Sequence, residues 1–348
     1  MNLKNKKYFI LFILSLLFIQ IILYCPIHFL KNLIIHPLIA EASEKNKEAK
    51  TAYQEFLDGK RKVLIDSEAL NKINNLDYIT FPMNHLESNE IFLQDMLHMA
   101  VSTYQEKLNF AEYAYIDCGM DGKEELAIRF THIYDRNTFI IVYENGQLYL
   151  RYIFDLWPRS HEYLYYNGYI TGQGSSGACY TNLSADFLDQ EGKLYFSVTN
   201  SISLNENQKY SEEINKTFEK EEIYIIEKEF IVQDKKYLCL EIEHEETKSV
   251  DIKKCEKFCQ LVEQNYEKLY SEDEIFEYIK QERKNLKIKR ECMELKKPEW
   301  KIMDNRIYSP YLKIMDNKSN LYESSENLYP DKDFFSDKYT DFTEQMSK

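Results

Sequence analysis

The sequence predicts an α+β fold: an antiparallel β-meander with N-terminal helices packed on one face, a C-terminal helical region and an N-terminal transmembrane helix. Three observations predict it. Between Phe110 and Thr199 apolar and polar residues alternate with a period of two, the signal of half-buried strands. Asn145-Gly146 and Asn167-Gly168 interrupt that alternation, and Asn-Gly favours the positive φ angles of tight hairpin turns. Helical spacing of apolar residues marks segments before Phe110 and after Lys253, and residues 203–220 read as a polar loop or short helix; no helix separates the strands between Phe110 and Thr199, so antiparallel pairing follows.

The N-terminus comes first in the chain. Lys4, Lys6 and Lys7 precede an uncharged apolar run, residues 8–30, long enough to cross roughly 30 Å of hydrocarbon. Lysines on that flank predict the N-terminus inside and the body outside the cytoplasm. Three fates stay open: an uncleaved anchor, a signal peptide cleaved after Ala42 in Ala40-Glu41-Ala42, or lipidation of Cys25, where Tyr24 is a poor preceding residue. All three export the body, so the expected location is the membrane with the body extracytoplasmic, or secretion after cleavage.

Four segments follow from pattern: 1–42 as signal anchor, 43–200 as helices plus sheet, 201–298 as a hairpin and helical region, and 299–348 as an irregular acidic tail. Ala49, Ala52, Tyr53, Phe56 and Leu57 recur at helical steps. A second helix is expected over Glu90–Leu108, capped by Ser88 or Asn89, with Phe92, Leu93, Met96, Leu97, Val101 and Tyr104 on its apolar face. The meander runs from Phe110 through LYFSVT at 194–199. Ile223–Val232 and Tyr237–Ile242 read as a further hairpin, and Lys253–Tyr270 and Glu272–Ile288 as charged helices. KIMDN occurs at 301–305 and 313–317, too few copies for a solenoid. From Asn317 the composition predicts disorder.

The formal net charge is −14, and Lys4, Lys6, Lys7 and Lys31 stand outside the exported body, which is therefore more acidic still. Such a field repels nucleic acid, and no compact basic run offsets it. Seven cysteines in a chain of this length fall short of a disulfide scaffold and read mostly as buried thiols.

Three stretches could bind something. In Asp117-Cys-Gly-Met-Asp121-Gly-Lys123-Glu-Glu125, the oxygens of Asp117, Asp121, the Lys123 carbonyl and Glu125 match positions 1, 5, 7 and 9 of a calcium loop, with Gly122 at 6. Position 3 is Gly119 and position 12 is Ile128, so two ligands are missing; the bland reading is a two-residue hairpin turn at Asp121-Gly122. Gly172, Gly174, Ser175 and Ser176 form a GxGSSG run that lacks the βαβ context of a dinucleotide site and reads as a loop at one end of the sheet, where exposed N–H and hydroxyl groups could recognise a ligand. Trp157 lies in an inter-strand loop, available to stack on a sugar or to close the sheet. His132 and His161 lack a placed carboxylate partner for zinc. No zincin, nucleophile-elbow or Walker motif occurs.

Ala52-Tyr53-Gln-Glu-Phe56-Leu57-Asp58-Gly59 together with Asp117, Asp121, Gly122, Glu125 and Leu126 resembles a group of exported, anchored or lipoprotein-like proteins of low-GC Gram-positive bacteria. That group carries a D-x-N-x-D-G-x-x-E-L strand-turn-strand motif, from which Gly119 departs. The resemblance covers residues 50–200 and implies location and fold, with no activity. The expected function is an extracytoplasmic binding or interaction protein without catalytic activity, calcium-stabilised if the loop holds the ion, with an envelope protein or glycan as partner. The alternatives are a cell-wall or surface-glycan hydrolase using loop carboxylates, and a structural component of an envelope complex.

Overall fold

A computed structural model describes residues 36–67, 89–104, 107–132, 136–156, 160–177, 180–205, 209–218, 223–244, 251–288, 295–303, 310–311, 342 and 346. The chain is α+β, with two sheets rather than the one expected. The first contains β1 (Val63–Ile65), β2 (Glu90–Ile91), β3 (Phe110–Ile116), β4 (Glu125–Thr131), β5 (Arg136–Glu144), β6 (Gln147–Leu156) and β13 (Lys301–Ile302). Its order is β13-β3-β4-β5-β6-β1-β2, antiparallel except where β1 runs parallel to β6. The second contains β7 (Ser160–Leu164), β8 (Tyr169–Gly177), β9 (Tyr180–Leu188), β10 (Leu194–Asn205), β11 (Ile223–Val232) and β12 (Lys235–His244), paired in chain order as a meander. Twisted open sheets seldom exceed about 10 strands without splitting, and this chain has more. Position 200, expected as a boundary, lies inside β10, and the hairpin expected to stand apart extends the second sheet.

Five α-helices occur among the described residues: α1 (His36–Leu57), α2 (Leu93–Tyr104), α3 (Ser211–Phe218), α4 (Ile252–Asn265) and α5 (Glu272–Asn285). The α2 helix starts later than expected, because Glu90 and Ile91 pair with β1 and Asp95 then accepts from the Phe92 N–H. Asp251 caps α4. A reciprocal Ser271–Glu274 capping box starts α5. None of the described helices is long and apolar enough to cross a membrane; the expected span, residues 8–30, lies outside the described residues.

Strand β4 is buried along its whole length, not half-buried as expected. One face turns toward the end of α1: Tyr53 packs on Tyr115, and its hydroxyl accepts from the Tyr143 N–H at 2.9 Å. The other meets the second sheet, where Ile116, Ala127, Ile140, Tyr152 and Phe154 pack with Leu164, Ile170 and Leu188. On that face β4 also buries Arg129, whose guanidinium lies 3.7 Å from the Trp300 ring centroid.

The second sheet carries a core on each face. On one, Tyr169, Leu183, Ala185, Phe187, Val198 and Phe230 pack against Ile275 and Ile279 of α5. Phe342 and Met346 join them, so the expected irregular tail returns to the core at these two residues. On the other face, Ile223 and Ile225 of β11 pack under Phe218 of α3 and Phe258 and Val262 of α4.

Tyr53→Phe removes the acceptor of the Tyr143 N–H and keeps the ring. The expected loss is about 1–2 kcal/mol in denaturant unfolding, with unchanged far-ultraviolet dichroism; unchanged stability would show that this N–H is satisfied elsewhere.

Candidate functional site

The Asp117–Glu125 stretch is a junction between the sheets. Strand β3 ends at Ile116, paired with Glu125, so the hairpin loop has eight residues and is not the expected two-residue turn. A 3-10 turn fills Cys118–Met120, and Asp121 has φ −97° rather than a positive angle. The Asp117 N–H donates to Tyr166 O at 2.6 Å, and the Gly119 N–H to Asn167 O at 3.2 Å, both in the β7–β8 turn. Gly119 has φ +68°, and a Cβ there would sit 2.8 Å from Gln190 N in the β9–β10 turn. That approach explains glycine where the resembling group has Asn or Asp.

The three carboxylates of the expected calcium loop go three ways. Asp117 accepts from the Asp121 and Gly122 N–H groups at 2.9 and 3.1 Å, and burial lifts its carboxyl above the usual range. Asp121 accepts from the Lys123 N–H at 2.8 Å and pairs with the Lys123 ammonium at 2.6 Å. Glu125 turns inward, 2% exposed, and accepts from the Cys118 N–H at 2.7 Å. Burial first, then the Asp121 and Asp117 charges, raise its carboxyl from 4.5 to about 9, against the Cys118 hydrogen bonds, so it is neutral at physiological pH. Among the described residues no three His, Cys, Asp or Glu side chains converge as a metal cage.

The GxGSSG run is not a loop. Gly172, Gly174, Ser175 and Ser176 belong to β8, with an irregularity between Gly174 and Gly177 and the Ser175 hydroxyl donating to Tyr180 O. Directly paired residues of antiparallel strands share a face, so the register defines three rows. Ser160, Gly174, Asn182 and Ser201 form one; Glu162, Gly172, Ser184 and Thr199 the next; Leu164, Ile170, Asp186 and Ser197 the third. Sheet one covers this face at Leu164, Ile170 and Leu188, and α3 and α4 cover it at Ile223 and Ile225. Between these two packings lies a polar groove whose serines, threonine, asparagine and carboxylates are half-buried. Two glycines form its floor. A Cβ at Gly172 would overlap Ser184 Oγ and come within 3.4 Å of Glu162 Cγ, so glycine here makes room for polar side chains.

Tyr152 reaches the groove from sheet one and donates to Asp186 Oδ2 at 3.1 Å. Burial first, then the Asp186 and Glu162 charges, push its phenol well up. The sequence reading missed Glu162, Asn182, Ser184, Asp186, Ser197, Thr199 and Ser201. Their signal was present: β9 and β10 alternate small polar residues with apolar ones.

Trp157 lies outside the described residues. His132 is buried at the end of β4. A cavity of about 500 Å³ at the N-terminus of α5 is lined by Cys239, Cys259, Leu269 and Glu272 among others. Burial, with the Glu272 charge, pushes the Cys239 thiol up to about 11 and burial raises Cys259 as well, which keeps both in the unreactive protonated form. Cys118, Cys239, Cys255 and Cys259 are free thiols. No family model, curated protein or solved structure matches this chain.

Because Glu125 binds its proton more tightly folded than unfolded, its stabilising contribution is complete below pH 4.5 and declines as pH rises toward about 9. Glu125→Gln is expected to flatten that decline, whose limiting slope is about 1.4 kcal/mol per pH unit, and to be more stable than wild type at pH 8. Parallel stability–pH curves for the two proteins would show the carboxyl is ionised in the fold.

Proposed function

We propose that the protein is a membrane-anchored or secreted extracytoplasmic binding protein without catalytic activity, and that its ligand lies in the polar groove of the second sheet. One observation carries the reading. A half-buried sheet face ordinarily packs against a layer or alternates cleanly to solvent, whereas this one is walled at both ends by apolar packing and lined between them by hydrogen-bonding groups over glycine. Export rests on the apolar N-terminal run and its lysine flank.

Calcium belongs to this reading as a stabiliser of the Asp117–Glu125 junction. The ion has to displace the Lys123 ammonium from Asp121. Lys123→Ala is therefore expected to show a larger rise of melting temperature in millimolar calcium than wild type, and Asp121→Ala none; no rise in any of the three ends the calcium role.

A second reading, hydrolysis of a surface glycan, is favoured by Glu162 and Asp186 lying in adjacent rows of the same sheet face. Glycosidases hold their carboxyl pair about 5–10 Å apart. Sugar-reducing ends released by wild type and not by Asp186→Asn would establish it over plain binding.

Thr199→Trp fills the groove without touching either core face. It is expected to weaken co-sedimentation with isolated cell envelopes by about tenfold at unchanged melting temperature. Wild-type binding by this variant would remove the ligand from the groove. Protease added to intact cells is expected to cleave the body, and its protection would overturn export.

A further inference from the structure

The polar groove across β7–β10 excludes most ligand classes by its own chemistry. We infer that it takes a neutral, hydroxyl-rich chain, a glycan; the inference rests on the groove being the binding face. The first argument is the exhaustion of the backbone. The groove lies on a sheet face, and β8, β9 and β10 spend their N–H and C=O groups in ladders on both sides. An extended peptide is recognised chiefly through main-chain hydrogen bonds at a free strand edge with pockets for alternate side chains. This face offers neither; side chains alone do the recognising.

Those side chains are short hydroxyls, one amide and carboxylates: Ser184, Ser201 and Thr199, Asn182, Glu162 with Asp186, and on β11 Glu227 and Glu229. Hydroxyls and the amide both donate and accept, and carboxylates accept two hydroxyl protons at once, which suits a ligand made of hydroxyl groups. Apolar surface is limited to two positions on the same face. Tyr180 continues the row series beside Asn182 and is 36% exposed, a flat ring on which the apolar face of a sugar can lie; Ile231, paired with Thr199, is 38% exposed. From β7 to β11 the groove spans roughly 19 Å, four strand spacings, enough for a chain rather than a single ring.

Charge decides between neutral and anionic chains. Glu162 and Asp186 are acidic. Lys236, which shares the face by its pairing with Ile231, is already bound to Glu229 at 2.6 Å, and Lys209 to Glu227 at 3.1 Å. With a chain of net charge −14, this leaves an anionic polymer repelled.

The test is calorimetric titration of the full chain in detergent with four probes of equal length: the neutral β-1,4-linked hexamers of glucose and of N-acetylglucosamine, a sulfated glucose hexamer, and a serine–lysine hexapeptide. Saturable binding of at least one neutral hexamer is expected, with the sulfated hexamer at least tenfold weaker. Asn182→Ala and Thr199→Trp should each weaken the neutral hexamer at least tenfold at unchanged melting temperature. Binding of the peptide or the sulfated hexamer in place of the neutral ones overturns the glycan assignment, as does neutral binding unaltered in both variants. If no neutral hexamer binds while Thr199→Trp still loses envelope binding, the glycan assignment fails and the groove reading survives; if neither effect occurs, both fail.

Discussion

The two sheets are tied together by the Asp117–Glu124 loop, whose first two residues, Asp117 and Cys118, are buried. Asp117 organises the loop through the N–H groups of Asp121 and Gly122, and this frees the Asp117 and Gly119 N–H groups to reach the β7–β8 turn. Gly119 lies against Gln190, and Gly168 against Cys118, so both turns at this end of the second sheet touch the same few residues. Carbonyls at Tyr166 and Asn167 would otherwise need water at a dry interface. A neutral Glu125 suits this position: it satisfies the Cys118 N–H without placing a charge beside Asp117 and Asp121, where a third carboxylate would repel both.

With that end pinned, the second sheet meets the first along only part of its face. The contact uses Leu164, Ile170 and Leu188, the residues nearest the junction. Farther along the same strands the face is out of reach of sheet one, and the sequence changes with distance: Leu164 gives way to Glu162 and Ser160, Ile170 to Gly172 and Gly174, Leu188 to Asp186, Ser184 and Asn182. On the opposite face the same strands are mainly apolar where α5 covers them with Ile275 and Ile279, with Thr171, Thr181 and Asn200 buried among them. The division of labour between the two faces is thus written residue by residue in β9: Leu183, Ala185 and Phe187 inward, Asn182, Ser184 and Asp186 into the groove.

The strands were legible in the sequence because their period is two. Asn145-Gly146 has the positive φ pair the hairpin rule requires, at +50° and +84°. The split into two sheets was not, since a strand looks the same whichever sheet it joins and the division depends on non-local twist and closure. The β11–β12 turn was misplaced by two residues because Gln233 and Asp234 adopt positive φ without glycine, at +48° and +65°. The GxGSSG run reads as a loop because glycine favours one, whereas in β8 the missing side chain of Gly172 admits Glu162 and Ser184. The acidic loop stands out by its spacing, but spacing cannot tell a carboxylate aimed at an ion from one capping its own backbone. Asp117 and Asp189 show the second use, each accepting N–H groups four residues on.

The same rule sorts the carboxylates of the described residues by what holds them. Asp117 and Asp189 are spent on loop N–H groups, Glu125 on Cys118, Glu227 on Lys209 and Tyr210, and Glu229 on Lys236. Asp186 differs in kind: its partner is a phenol from the other sheet, which donates a single hydrogen bond to a carboxylate able to accept several. A group held by one directional donor at an interface of two layers is fixed in place without being used up. That is the condition a recognition site needs of its polar groups, because a ligand then gains hydrogen bonds without first releasing those that hold the fold.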